Sequence, residues 1–283
     1  MNTSTKFWRD SVMLYVEARR ACHSRACYQP HNHPTFSIGA VDQGQSVFTS
    51  ATDGPMLIQP GSLVLVAPDC VHACNPLPDS AWSYQMLHLD APWLNAVRQK
   101  FASQEGKKLL AAPVMLTRDA DAYARFCRLI DLLFSGASVL GKEIALIEFI
   151  EACGSDHIGH SDVGGIMALP AKPAHASPGA QKLQPILAFL HQESVAMHPL
   201  SALADMADMV GMSRYQLIRA FRVSTGMTPH AYQLNLRINR ARSSLCAGES
   251  IADMAYRLGF SDQSHFQRVF KLHAGVTPGC YRA

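Results

Sequence analysis

Three histidines near the start of the chain have the residue type and spacing of a ligand site. His31 and His33 are two residues apart, so an extended strand would turn both imidazoles to one face. His72 could join them, which would give a three-histidine metal site. Tyr84 and His88 share one face of a later predicted strand. These five residues are our candidates for a small-molecule pocket, with a metal ion on the histidines as the alternative.

Cysteines cluster around the same histidines. Cys70, His72 and Cys74 alternate, so an extended backbone would point all three side chains to one side. Thiolates bind zinc or are oxidised, whereas a protonated cysteine behaves as a small buried apolar side chain. The spacings match no standard zinc motif. A metal- or thiol-sensing role is therefore an alternative to a structural one.

The chain has no apolar run of the length of a signal sequence or a membrane span. We therefore expect a cytoplasmic protein with no membrane partner. In that compartment the eight cysteines would be reduced thiols.

A second group of residues could read nucleic acid. Two segments near the end of the chain each leave a row of polar side chains on one predicted helical face, and Arg and Gln bond bidentately to guanine and adenine edges. From Leu183 onward, ten basic residues outnumber six acidic ones, whereas the rest has fifteen basic and sixteen acidic. A positive end favours a DNA partner whose affinity falls with salt. The candidate contact residues are Arg214, Tyr215, Ile218, Arg219, Arg222, Gln263, Ser264, His265, Gln267, Arg268 and Lys271.

The elements that must present these rows form an internal repeat. Ala204-Asp205-Met206-Ala207 recurs 48 positions later, and Gly226-Met227-Thr228-Pro229 recurs, with one conservative change, 49 positions later. Each copy reads as a helix, a glycine turn and a second helix, opened at Ser213 in one copy and Ser261 in the other. The second helix of such a helix-turn-helix can lie in the DNA major groove.

These features resemble the AraC-type DNA-binding domain over about the last 100 residues. The resemblance is carried by Gly211-Met212-Ser213, Thr225-Gly226, the run 259–266 and Gly275-Val276-Thr277-Pro278. It implies a sequence-specific transcription regulator, more often an activator that works with RNA polymerase. It also implies two helix-turn-helix units joined by one long helix over 230–246, and target boxes about 10 base pairs apart on promoter DNA.

The resemblance assigns base contacts by position. They fall on Tyr215, Ile218, Arg219, Gln263, Ser264, Gln267 and Arg268. Ile218 differs from the polar side chains that form hydrogen bonds with base edges, although an apolar side chain can touch a thymine methyl group.

The first half of the chain reads as short strands over 36–41, 46–50, 63–66 and 84–90. Short strands at close spacing predict a small β jelly-roll barrel. His31-Asn32-His33 ahead of Gly44, and Pro60-Gly61 ahead of His72, resemble the cupin-type effector domain found before AraC-type DNA-binding domains. That resemblance implies a barrel that holds a small-molecule effector under an N-terminal arm.

One departure from the cupin pattern bears on the metal alternative. Metal-binding cupins carry a glutamate four or five residues after the second histidine, and here Ser37 and Ile38 stand at those places. We therefore predict hydrogen-bonded pocket or core histidines, with no cofactor and no catalytic residues. A metal-dependent cupin enzyme fused to a DNA-binding module is the remaining alternative.

The rest of the chain completes a two-domain prediction. Apolar stripes over 119–134 and 140–153 predict helices after the barrel, which the resemblance assigns to a homodimer interface. Residues 1–153 are then the cupin-like effector domain, residues 154–180 are a flexible linker, and residues 181–283 are an all-α DNA-binding domain. We expect Pro185 in the first turn of the first helix of that last domain. The sequence has no nucleotide-binding glycine loop or nucleophile elbow, so we predict a regulator and not an enzyme.

Overall fold

The computed structural model describes residues 3–50, 54–105, 113–154, 167–168, 178–192 and 203–282. Over these residues the chain forms an N-terminal β domain followed by helices, and then a C-terminal helical domain. This is the predicted fold class. Within the described residues, no helix has the length and apolar character that crossing a membrane requires.

The β domain consists of two antiparallel sheets. A seven-stranded sheet has the order β1-β2-β8-β3-β6-β9-β10, and a three-stranded sheet has the order β5-β4-β7. An apolar cluster that draws on both sheets lies between them. The strands are β1 (Ser4–Trp8), β2 (Val16–Ser24), β3 (Phe36–Gln43), β4 (Ser46–Ser50), β5 (Met56–Ile58), β6 (Leu63–Val66), β7 (His72–Pro76), β8 (Trp82–Leu89), β9 (Val114–Thr117) and β10 (Met167–Ala168).

Strand alternation gives the large sheet two covered faces. Leu87 and Leu89 of β8 belong to the core shared with the helices. Tyr84, Met86 and His88 alternate with them and line the cavity on the other face. The sequence did not say which face of β8 points inward, and the structure shows that it is the face of these three side chains. The predicted N-terminal arm is itself the edge strand β1, which pairs with β2.

Three helices follow the sheets: α1 (Ala91–Glu105), α2 (Ala120–Leu133) and α3 (Val139–Gly154). The Asp119 carboxylate caps α2 by accepting a hydrogen bond from the Ala122 N–H at 2.7 Å. Gly136 lies in the turn between α2 and α3. Gly141 lies inside α3.

Three parts of the predicted linker 154–180 are among the described residues, and the first is Gly154, the last residue of α3. β10 pairs antiparallel with β9, so Met167 and Ala168 extend the large sheet. Helix α4 (Pro178–His191) begins before the predicted boundary at 181. Pro185 therefore lies inside α4 and not in its first turn, because the helix starts at the earlier proline. The other linker residues lie outside the described part of the chain.

The C-terminal domain contains the predicted repeat. Its helices are α5 (Leu203–Met209), α6 (Arg214–Thr225), α7 (Pro229–Cys246), α8 (Ile251–Arg257), α9 (Gln263–Ala274) and α10 (Pro278–Arg282). Helices α5 and α6 form the first helix-turn-helix unit, α8 and α9 form the second, and α7 joins them. Gly211 and Gly259 make the turns with φ of 61° and 71°, which glycine adopts without steric cost.

Each unit has its own apolar core, and each core includes a residue of the β domain. Leu217 and Phe221 are fully buried in the first unit, where Val71 joins them. Phe266 and Phe270 are fully buried in the second unit, against which Phe7 of β1 packs. The two domains therefore pack directly on each other.

Candidate cavity and nucleic-acid interface

Helix α6 begins at a capping box. The Ser213 hydroxyl accepts from the Gln216 N–H at 3.3 Å, and the Gln216 side-chain oxygen accepts from the Ser213 N–H at 2.9 Å. Gly226 ends the helix in the left-handed conformation with φ of 76°. The predicted start of this helix at Ser213 is confirmed.

Helix α9 begins one residue later than predicted. Asp262 is the N-cap, and its carboxylate accepts from the His265 N–H at 2.7 Å. That hydrogen bond holds the pKa of Asp262 below its usual value. Ser261 instead donates its hydroxyl to Asp262 at 3.0 Å. The prediction of Ser261 as the opening residue was wrong because a carboxylate is favoured over a hydroxyl at the positive end of a helix.

The shifted cap brings the two recognition helices into one register. With Ser213 and Asp262 as the caps, equivalent residues are 49 positions apart throughout α6 and α9. Arg219 then corresponds to Arg268. The extra residue of the second copy lies in the stretch from Gly259 to Asp262.

The structure leaves the candidate DNA contacts at the surface. Ile218, His265 and Gln267 are half-buried, and His265 Nδ1 lies 3.1 Å from the Ser261 hydroxyl, which ties that ring to the helix cap. The exposed side chains are Arg214, Tyr215, Arg219, Arg222, Gln263, Ser264, Arg268 and Lys271. Both helices therefore present cationic and amide groups of the kind that contact phosphates and base edges.

A cavity of about 350 Å³ lies where the two domains meet. All five pocket candidates from the sequence line it: His31, His33, His72, Tyr84 and His88. The C-terminal domain supplies a wall that the sequence did not predict, made of Asn239, Arg242, Ser243, Cys246, His273, Ala274 and Tyr281. A molecule that filled the cavity would touch both domains at once.

Backbone carbonyls fix three of the histidine rings. The Nδ1 atoms of His31, His33 and His72 lie 2.8, 3.1 and 2.9 Å from the carbonyl oxygens of Gln29, Thr35 and Cys70, respectively. Because a carbonyl only accepts, each Nδ1 carries the hydrogen and donates it. Each neutral ring then keeps a lone pair on Nε2.

Burial keeps these imidazoles neutral. Loss of solvation lowers the pKa of both His72 and His88 to about 4. Burial, and then repulsion from His72, lowers the pKa of His31 and of His33 well below the usual range. At neutral pH the cavity therefore contains uncharged histidine rings.

Arg19, on β2, is a buried cation of the cavity wall that the sequence reading missed. Its Nη1 donates to the Ala274 carbonyl at 2.9 Å, and its Nη2 donates to the Tyr28 hydroxyl at 3.0 Å. Its Nε has no hydrogen-bond partner among the described residues. Alternation along β2 could have revealed Arg19. Val16 and Ala18 face the apolar core, so Arg19 must lie on the opposite face of the strand.

Arg242 brings a second guanidinium to the cavity from α7. Its Nη2 donates to the His273 carbonyl at 3.2 Å, and its buried Nε has no partner within the described residues. Arg19 and Arg242 thus bring two guanidinium groups, one from each domain, to the lining of one cavity. A ligand with an anionic group would gain binding free energy from their positive charge.

Polar contacts between the domains cluster around the second helix-turn-helix unit. Arg9 donates to the Tyr281 carbonyl at 2.7 Å, and the Tyr281 hydroxyl donates to Glu17 at 3.2 Å. The Gln29 N–H donates to the Leu272 carbonyl at 3.1 Å. These bonds connect the β domain to α9 and α10.

Asn32 makes the corresponding contact with α7. Its N–H donates to the Asn235 side chain at 3.3 Å, and its carbonyl accepts from the Asn239 side chain at 3.0 Å. Asn32 follows His31 directly, so the histidine segment itself is held against the DNA-binding domain.

The two thiols beside the cavity histidines, Cys70 and Cys74, behave as partly buried apolar side chains. Cys74 lines the cavity and packs with Cys70 against the apolar cluster between the sheets. Burial raises the pKa of Cys74 to about 12, so it remains a thiol, which is a poor nucleophile and metal ligand. All eight cysteines are free. These observations favour the structural role over thiol sensing.

Comparisons with known proteins identify both domains. Residues 14–150 match the family model of the AraC-like ligand binding domain, and residues 206–283 match a helix-turn-helix domain model. The uncharacterized HTH-type transcriptional regulator YbfI of Bacillus subtilis (strain 168) is 25% identical over 266 residues, which cover 94% of this chain and 90% of YbfI. The HTH-type transcriptional activator RhaR of Yersinia pestis bv. Antiqua (strain Angola) is 35% identical over 116 residues, or 40% of this chain and 38% of RhaR.

Solved structures show the same two-domain fold. An apo ToxT variant from Vibrio cholerae strain SCE256 has a TM-score of 0.59 and 16% identity, and the match covers 95% of this chain and 97% of ToxT. ToxT from Vibrio cholerae O395 bound to (E)-4-(8-methylnaphthalen-1-yl)but-3-enoic acid has a TM-score of 0.52 and 14% identity over 100% of this chain and 98% of ToxT. The β domain and the helical domain thus occur together in a known protein.

Proposed function

The chain belongs to the AraC family of DNA-binding transcription regulators, and from this premise we propose that a small molecule in the interdomain cavity controls its binding to promoter DNA. The shared wall of the cavity carries this proposal. A ligand there contacts Arg19 of the β domain and Arg242 of α7 together. It can therefore bind two domain arrangements with different affinity, which regulation requires.

The second recognition helix provides the route from ligand to DNA. The last residue of α9, Ala274, lines the cavity and accepts from Arg19, while Arg268 lies on the exposed face of the same helix. A ligand that competes for Arg19 would shift the carboxyl end of α9. Because a helix moves as a rigid unit, its DNA-contacting face would move with it.

The cavity favours an effector with an apolar body and one anionic group. Phe7, Trp82 and Met86 supply an apolar wall, and the guanidinium groups of Arg19 and Arg242 supply positive charge. Guanidinium groups pair well with carboxylates. The ToxT ligand named above is also a carboxylic acid.

A thermal-shift screen of the full chain tests this effector class. Apolar carboxylic acids should raise the melting temperature, because they bind only the folded state. Their methyl esters should raise it less, and Arg242→Gln should reduce the response to the acids. Arg268→Gln, a change on the exposed face of α9, is the matched control. Equal shifts for acids and esters would rule out the anionic class.

Selection from random duplex DNA tests the DNA-binding half of the proposal. We expect the purified chain to enrich two boxes about 10 base pairs apart, because each recognition helix reads one major-groove face of the duplex. A chain with both Arg219→Ala and Arg268→Ala should enrich much less. Enrichment of a single box, or of none, would contradict the two-reader proposal.

We also propose a homodimer through α3. Leu140 and Ile144 lie one helical turn apart on α3 and are 66% and 48% exposed. Exposed apolar side chains at this spacing are suited to a helix–helix interface. Leu140→Glu should shift the chain to monomer in sedimentation experiments, whereas Val223→Glu on α6 should not.

As an output we propose activation, in the cytoplasm and through contact with RNA polymerase; the relative RhaR is named a transcriptional activator. In vitro transcription from a selected site should rise when the chain is added, and a fall would mark a repressor. YbfI, which aligns over most of its length, is a regulator by name, and this favours regulation over the cupin-enzyme alternative.

A further inference from the structure

We propose that His31, His33 and His72 form a binding site for a divalent first-row transition-metal ion of the zinc type. This goes beyond control by an organic effector, and it differs from the expectation drawn from the sequence. The inference rests on how three buried imidazoles are placed and oriented in the cavity.

The three rings come from two segments that are bonded to each other. His31 and His72 exchange two backbone hydrogen bonds, of 3.0 and 2.9 Å, across an isolated antiparallel bridge. The ring centroids of His31 and His33 lie 4.7 and 5.0 Å from that of His72. The backbone therefore holds the rings in one triangle before any ion binds.

Orientation makes this triangle a ligand set. In metal sites the histidine nitrogen that does not bind the ion usually donates to a carbonyl or carboxylate. All three Nδ1 atoms already do so, to the carbonyls of Gln29, Thr35 and Cys70. The Nε2 atoms keep their lone pairs, although the Ser37 hydroxyl lies 3.3 Å from that of His33. One ring nitrogen of each histidine lies within 4.8 Å of one ring nitrogen of the other two.

The spacing is close to what coordination needs. Tetrahedral zinc with Zn–N bonds near 2.0–2.1 Å places its nitrogens about 3.3 Å apart, so each ring must move inward by roughly 1 Å. Small side-chain rotations supply that.

The donor set also selects the kind of ion. Three imidazoles without a carboxylate suit zinc, cobalt, nickel, copper or iron and do not suit calcium or magnesium. A fourth position would open toward the cavity. Arg242 lies close enough to lower the pKa of all three rings. We therefore expect an anion or hydroxide at the fourth coordination position, where it would offset the positive charge of Arg242.

Cobalt titration of the full chain, after treatment with a chelator, tests the site. We expect one equivalent of Co²⁺ to bind with the absorption bands of a nitrogen- and oxygen-ligated tetrahedral ion, and Zn²⁺ to displace it. A thiolate-to-cobalt charge-transfer band should be weak, because the cavity cysteine Cys74 stays protonated.

Variants assign the ligands. His72→Gln and, separately, His33→Gln should each weaken Zn²⁺ binding by more than about 100-fold. His273→Gln is the matched control, since His273 is another buried histidine of the cavity wall outside the triangle. Zn²⁺ should raise the melting temperature of the wild-type chain and of the His273 variant only.

Three results would overturn the site. They are no stoichiometric metal, equal Zn²⁺ affinity in wild type and His72→Gln, or a strong thiolate band that marks binding by exposed cysteines. Melting curves in chelator show whether each variant folds, and His33→Gln replaces His72→Gln if the latter does not. The titration uses no DNA, so its failure would leave the regulator proposal intact.

Discussion

The two helix-turn-helix units are built alike but have different neighbours. Helices α6 and α9 both have 12 residues, a polar N-cap and a left-handed glycine at the C-terminus. His273 and Ala274 of the second unit line the cavity, whereas none of the described residues of the first unit does. The same motif is thus used once beside the cavity and once away from it.

The β domain therefore contacts the two helix-turn-helix units in different ways. The β domain contacts the first unit through the apolar side chain of Val71. It contacts the second unit through the apolar side chain of Phe7 and also through directed hydrogen bonds, such as those from Arg19 to Ala274 and from Gln29 to Leu272. Directed bonds depend on geometry, so a ligand in the cavity would act first on the second reader. The first reader would then supply a constant part of the DNA affinity.

Removing one core phenylalanine from each unit should give the largest effect of any single substitution. Phe221→Ala and Phe270→Ala should each cost about 3–5 kcal/mol, because both rings are fully buried. Only Phe270 packs against Tyr281, which bonds to the β domain. Urea unfolding followed by tryptophan fluorescence measures this, since Trp8, Trp82 and Trp93 all lie in the N-terminal half. Equal shifts of that signal in both variants would break the comparison.

Acid should destabilise the β domain before the first helix-turn-helix unit. His72 and His88 have a folded-state pKa of about 4 against an ordinary 6.5, so the unfolded chain binds more protons between these values. Stability is full above pH 6.5 and falls as the pH drops toward 4, by roughly 3 kcal/mol for each histidine. Melting curves across this range should show the tryptophan signal lost before the first unit unfolds. His72→Gln should flatten the dependence, and an unchanged slope would contradict it.

Glycine substitutions sharpen the comparison at the domain contact. Gly275 has φ of 74°, and a Cβ there would lie 2.6 Å from Cζ of Tyr28. Gly211 has φ of 61° but open space around it. Gly275→Ala should therefore cost about 2–3 kcal/mol and Gly211→Ala about 1 kcal/mol, as measured by thermal unfolding. Similar values would mean that Tyr28 moves aside freely.

The two aligned arginines should give the smallest effects. Arg219→Ala and Arg268→Ala should each weaken DNA binding by about 1–3 kcal/mol, with the loss concentrated in one box of the site. Gel-shift titrations against single-base variants of a selected site measure this. Effector should change the Arg268 contribution and leave that of Arg219 constant. A uniform loss over all sequences would mark phosphate contacts instead.

Local patterns predicted most of the helical domain and part of the cavity. The limits of α6 were predictable. Gly211 makes the turn before the helix, Ser213 caps its start and Gly226 ends it, because turns and caps depend on neighbouring residues. The candidates His31 and His88 line the cavity because strand alternation sorts side chains by face. Competition between adjacent caps was harder to predict, and Asp262 displaced Ser261.

The missing wall of the cavity had no local signal. Arg242 and His273 read as ordinary residues of two helices, and only the packing of the domains brings them beside His31. Such packing depends on contacts like that of Asn32 with Asn235, more than 200 positions apart in the sequence. Arg19 was different, since alternation along β2 could have revealed it.

The short strand β10 sets the length of the tether between the domains. Because Met167 and Ala168 are paired to the sheet edge, the chain available for domain separation counts from Ala168 to the start of α4 at Pro178. Ten residues of extended chain reach at most about 35 Å, close to one turn of the DNA double helix. While that pairing holds, the start of α4 stays within about 35 Å of Ala168, so the tether bounds how far the first helix of the DNA-binding domain can move from the sheet.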